Sequence, residues 1–151
     1  MTEVEHEHPY YDPSGYDRER SFPSLQAALL GRSVSSVRLE WSDAGYEKGP
    51  TRLIFETLTG PVVLLAEGQC CSISWFESID DPAALLGTIY AIRHLDLPHR
   101  DSPDPTNDDG ESESRAYYGL KISTEKGSAV IDYRNDSNGY YGGYVIVESA
   151  P

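Results

Sequence analysis

The chain reads as an α+β domain, mostly antiparallel β, built from two related β-hairpin halves around a pseudo-twofold axis, with short helical turns capping the core. Three observations predict this. Residues 53–64 and 120–131 both alternate apolar and polar side chains, and they align without a gap, each with a turn glycine (Gly60, Gly127). A Leu-Leu-Gly motif stands ahead of each stretch, at Leu29-Leu30-Gly31 and Leu85-Leu86-Gly87, and runs into an apolar strand containing Arg38 or Arg93. The apolar fraction, 38%, is low for a globular chain and fits a folded body with polar extensions.

Residues 1–20 hold six carboxylates, three Tyr and two Pro, with almost no aliphatic side chain. Such a segment buries too little apolar surface to offset its ordering entropy, so it is expected to be an acidic flexible arm. Residues 21–151 then form a single domain. Its first half, 24–80, opens with a helical turn over 24–30 that stops at Gly31, a residue suited to a left-handed C-cap. A strand through Val37-Arg38-Leu39, the first hairpin, the Gln69-Cys70-Cys71-Ser72 loop and a strand near 73–76 follow.

The second half, 81–148, repeats that order. Asp80 or Asp81 is the expected N-cap of a helical turn over 81–86, with Pro82 in its first turn and Gly87 as its C-cap. After the strand through Ile92-Arg93-His94-Leu95 comes an acidic loop, 97–114, whose Pro and carboxylate content predicts a solvated linker. The second hairpin, a loop from Asn135 to Gly143 and a strand near 144–147 complete the half. Each last strand is expected to close its own half.

The formal net charge of −13 opposes binding to phosphate backbones and to anionic membrane surfaces. It leaves a divalent cation, solubility alone or a protein with a basic surface as readings, and the last is the expected partner. No apolar run approaches the roughly 20 residues of a membrane helix. The acidic residues 1–10 lack the basic and apolar regions of a secretory signal, so a reducing cytoplasm is the expected location.

Cys70 and Cys71 are the first candidates for chemistry. One of them can be small core filler at a strand end. The pair can also form a vicinal disulfide, hold a soft metal, or supply a nucleophile activated by His94 or His99. Two cysteines are too few to close a zinc site, and no metal or cofactor is expected. In the second loop, Asn138-Gly139 favours positive φ and Gly142-Gly143 permits close backbone approach. Tyr140 and Tyr141 then either pack beneath a tight turn or form a contact patch. The candidate binding residues are therefore Cys70, Cys71, Ser72, Asn138, Tyr140 and Tyr141, on two loops that face one another if the halves are related. His6-Glu7-His8 and the Asp101, Asp104, Asp108, Asp109 series read as solvated charge, since the latter lacks EF-hand spacing. No catalytic triad, carboxylate pair or nucleotide fingerprint supports an enzyme.

The order Leu-Leu-Gly, hairpin, Cys70-Cys71-Ser72, second Leu-Leu-Gly, then Ser137-Asn138-Gly139-Tyr140-Tyr141-Gly142-Gly143 resembles a family of small uncharacterised proteins of tailed bacteriophages and their bacterial hosts. The resemblance spans about residues 25–148 and implies a provenance and a fold, with no activity attached. The leading reading is a small acidic, non-enzymatic binding protein of phage or phage-derived origin. It acts in the bacterial host cytoplasm by docking on a host or phage protein, for instance as an inhibitor. Two alternatives stay open: a ligand-binding or catalytic domain with a cleft between the halves, and a structural virion component.

Overall fold

The computed structural model describes residues 14–42, 48–97, 114–137 and 141–151. One helix, α1 (Ser14–Leu29), leads into β1 (Val34–Glu40), β2 (Arg52–Thr57), β3 (Gly60–Gly68) and β4 (Ile73–Ile79). A 3₁₀ turn (Pro82–Leu85) then leads into β5 (Ile89–Asp96), β6 (Ser114–Thr124), β7 (Gly127–Ser137) and β8 (Gly143–Ser149).

Both expected hairpins form. Thr57 pairs with Gly60 and Thr124 with Gly127, and the two glycines have φ of +127° and +132°, values that strain any residue with a Cβ. The inward side chains of the two hairpins correspond: Leu53 with Leu120, Phe55 with Ile122, Val62 with Ala129, Leu64 with Ile131, and Ala66 with Tyr133. All are buried in one cluster, joined by Phe76, Ile89 and Val145 from the flanking strands and by Leu25, Leu29, Ala84 and Leu85 from the helical elements. Each fully buried Leu, Ile or Phe contributes about 1.5–3 kcal/mol relative to exposure.

All strands are antiparallel, in two four-stranded sheets ordered β1-β2-β3-β8 and β4-β7-β6-β5. The last strands are exchanged. β4 pairs with β7 of the second hairpin, and β8 pairs with β3 of the first, so neither half closes upon itself. The ladder of β3 ends at Gly68, and the turn after it, with Cys71 at φ +67°, redirects the chain away from the edge that β8 then fills. The segments after the two Leu-Leu-Gly motifs also meet. Ser33 bridges Thr88, their hydroxyls 3.0 Å apart, while Val34 N donates to Gly87 O (2.9 Å) and Ile89 N to Arg32 O (3.0 Å).

Several local expectations change. The helix starts at Ser14, within the segment expected to be an arm, and runs through Pro23 rather than beginning after it. An interior proline costs about 3 kcal/mol or more. Packing of Phe22, Leu25, Ala28 and Leu29 against the core offsets this, as do the Arg18 contacts described below. Gly31 takes the left-handed cap (φ +84°), whereas Gly87 does not. A Cβ at Gly87 would fall 2.7 Å from a Glu125 carboxylate oxygen, so the end of that exposed side chain would have to move aside. Asp81 sits at the cap of the 3₁₀ turn without a side-chain cap bond, and Asp80 instead accepts from Val130 N at 2.8 Å. The acidic residues 1–13 and most of the 97–114 loop lie outside the described residues. No described helix is long and apolar enough to cross a membrane.

Candidate functional site

The two loops singled out by sequence come together where β3 meets β8. Gly68 pairs with Gly143, and neither position has room for a side chain. A Cβ at Gly68 would lie 2.5 Å from Ser72 Oγ, and one at Gly143 would lie 2.2 Å from Ser74 Oγ. Gln69 locks the junction. Its backbone N donates to Gly142 O (3.0 Å), its Oε1 accepts from Gly142 N (3.1 Å), and its Nε2 donates to Asp17 Oδ2 of α1 (2.7 Å).

Residues 69–72 form a tight turn closed by Ser72 N donating to Gln69 O at 2.9 Å. The Ser72 hydroxyl donates to the same carbonyl at 2.7 Å, so this side chain braces the turn. Cys70 and Cys71 occupy its two central positions, both exposed, with their sulfurs 2.9 Å apart. Their contact raises the Cys70 pKa, because removing its proton breaks the thiol hydrogen bond. The half-buried Tyr141 is held from below, its carbonyl accepting from Asn135 Nδ2 at 3.1 Å. Asn138 and Tyr140 lie outside the described residues.

Beneath these loops lies a polar layer that sequence reasoning missed. Asn135 was expected to begin a loop, yet β7 continues through Asn135, Asp136 and Ser137, all buried. They tolerate burial because each important polar group is bonded. Asn135 Oδ1 accepts from Ser74 Oγ (2.7 Å). Asp136 receives Arg115 Nε and Nη2 (2.7 and 2.9 Å) and Lys48 Nζ (2.6 Å). Burial works to raise the Asp136 pKa, but these cationic hydrogen bonds outweigh it and hold the carboxyl below the ordinary range. The Arg115 guanidinium also lies over Trp75, 5.2 Å from the ring.

On the helix side, Arg18 donates to Ser14 Oγ (2.6 Å) and to Gly143 O (3.1 Å), and its guanidinium stacks over Tyr118 at 4.4 Å. Tyr118 Oη in turn accepts from Gly143 N at 3.2 Å. The start of β8 is therefore gripped by α1, β6 and the cysteine turn together. Among the described residues, backbone and small polar side chains pack closely at this junction. An open groove lies elsewhere, between α1 and β5, where Arg18, Phe22, Ile92 and His94 line it. His94 packs against Phe22 there, with ring centroids 5.1 Å apart.

Only local signals were readable for this site: the adjacent cysteines and the Gly142-Gly143 pair. The polar layer had no such signal, since Lys48, Arg115 and Asp136 lie far apart in the chain. Among the described residues, no group of three or more His, Cys, Asp or Glu side chains is placed to hold a metal ion.

Residues 27–147 match the model of DUF7448, a domain of unknown function, and the chain belongs to that family. Comparison with curated proteins gives no match, and comparison with solved structures gives none either.

Proposed function

We propose that this DUF7448 protein is a non-enzymatic docking protein of phage or phage-derived origin, acting in the bacterial cytoplasm on a protein with a basic surface. The observation that carries the reading is where the charge lies. The described residues contain thirteen of the 25 Asp and Glu but eleven of the 12 Lys and Arg. The described residues are thus nearly neutral together, and the excess negative charge belongs to residues 1–13, 43–47 and 98–113. Carboxylates gathered in this way favour rapid, oriented encounter with a basic partner and oppose nucleic acid or anionic lipid.

The second support is the rigidity of the face formed by the cysteine turn and Tyr141. A preorganised surface loses little entropy on docking. Among the described residues, the close packing of Gly68 and Gly143 against Ser72, Ser74 and Asn135 argues against a substrate cleft at that place. The matched order of strands in the two sheets supports reading the chain as a duplicated half whose closing strands have been exchanged.

The test uses the full chain and a variant with Asp101, Asp104, Asp108, Asp109, Glu111 and Glu113 changed to Asn or Gln. Each is immobilised and challenged with host lysate while salt is raised from about 0.1 to about 1 M, which shortens the Debye length from about 10 to about 3 Å. One basic protein retained in near-stoichiometric amount by the native chain, released by salt and not retained by the variant, is the expected result. Equal retention by both chains would overturn the proposal.

A further inference from the structure

The 69–72 turn carries a feature that docking does not use. Cys71 has φ +67°, and among the described residues no other non-glycine residue has positive φ. The left-handed region costs about 1–2 kcal/mol for a residue with a Cβ, and the third position of such a turn ordinarily takes Gly or Asn. Packing does not explain a cysteine there, since Cys70 and Cys71 are both exposed. What the conformation does achieve is to bring the two Sγ atoms to 2.9 Å, less than 1 Å beyond a disulfide bond of about 2.05 Å. The turn is held by Gln69 on Gly142 and Asp17, so the approach is built into the fold.

We infer that Cys70 and Cys71 form a vicinal dithiol site whose co-reactant is a small-molecule disulfide. One cysteine thiolate attacks a sulfur of that disulfide, breaking its S–S bond and releasing one small thiol. The neighbouring cysteine, once deprotonated, attacks the protein sulfur of the mixed disulfide and releases the second small thiol. The Cys70–Cys71 bond closes a small ring through the intervening peptide. The two protein thiols lose two electrons and two protons, and the small disulfide is reduced to two thiols. The site needs no partner protein and stands independently of the docking proposal.

The test is intact-mass spectrometry of the native full chain equilibrated in glutathione buffers of stepped redox ratio, followed by alkylation. As the buffer becomes oxidising, the number of alkylatable thiols should fall from two to none, with a product two hydrogens lighter that dithiothreitol restores. A second chain, Cys70→Ser, keeps Cys71 but lacks a second sulfur to resolve it and should stop at a mixed disulfide carrying one glutathione. Stable glutathione adducts on the native chain, a disulfide-linked dimer, or two thiols persisting in the most oxidising buffer would each overturn the inference. So would a Cys70→Ser chain that takes up no glutathione.

Discussion

Arg115→Ala should destabilise the fold by about 3 kcal/mol at neutral pH, while Asp136→Asn, which breaks the same ion pair, should cost only about 1–2 kcal/mol. The asymmetry follows from exposure. The Asp136 side chain is 0% exposed, whereas the side chains of Arg115 and Lys48 are 18% and 31% exposed. Removing the guanidinium strands a buried carboxylate, a change that costs about 3–5 kcal/mol when no other partner remains. Lys48 stays in place at 2.6 Å, which puts the effect at the low end of that range. Removing the charge of Asp136 instead leaves two cations that can turn toward water, and the amide oxygen still accepts a hydrogen bond. Urea unfolding followed by tryptophan fluorescence would measure both variants. In thermal unfolding, 3 kcal/mol corresponds to about 6–12 °C for a chain of this size.

The pH dependence supplies a second readout. Because the folded pKa of Asp136 is depressed, its contribution to stability is present above the unfolded value of about 3.9 and is lost as pH falls toward the folded value. Asp136→Asn should therefore flatten the loss of stability below about pH 4. Equal costs for the two variants, or an unchanged acid limb in Asp136→Asn, would refute the account of a buried carboxylate held by its cations.

Two further substitutions test the junction. Gly143→Ala should cost about 1–3 kcal/mol by overpacking, because its Cβ would lie 2.2 Å from Ser74 Oγ and 3.1 Å from Asn135 Cβ. Thermal unfolding should show part of that loss recovered in the Gly143→Ala/Ser74→Ala double variant. Glu67 has its pKa raised, by partial burial first and then by the charge of Glu148. Its ionisation therefore opposes folding as pH rises through the folded value. Glu67→Gln should raise the melting temperature at pH 7, and the gain should vanish near pH 3, where the native carboxyl is already protonated.

The hairpins were legible because their determinants are local. Period-two alternation sets which side chains of β2, β3, β6 and β7 face inward, and Gly60 and Gly127 mark turns that only glycine enters without strain. Local chemistry also placed Cys70, Cys71 and Ser72 in a loop and allowed close backbone approach at Gly142-Gly143. It misjudged α1, expected only as a turn over 24–30, because the anchors of the first turns are tertiary. Ser14 and Arg18 meet Tyr118 and Gly143, more than a hundred residues away in the chain. It also placed Asn135 and Asp136 in a loop, since a buried polar residue with distant partners looks the same in sequence as an exposed one.

By itself, then, the sequence determined the β-rich class, the two hairpins with their inward faces, the strong negative charge and the position of the adjacent thiols. Each of these depends on residue type, on spacing along the chain, or on a count. Tertiary structure alone decided that β4 and β8 change places between the sheets, that Gln69 ties the cysteine turn to β8 and α1, and that Lys48 and Arg115 converge on Asp136. Strand ladders and ion pairs are interactions between segments, and an alternating strand offers the same hydrogen-bonding groups to every available edge. Which edge it takes is set by the free energy of the assembled core, where turn direction, side-chain volume and the bonding of buried polar groups must all be satisfied together.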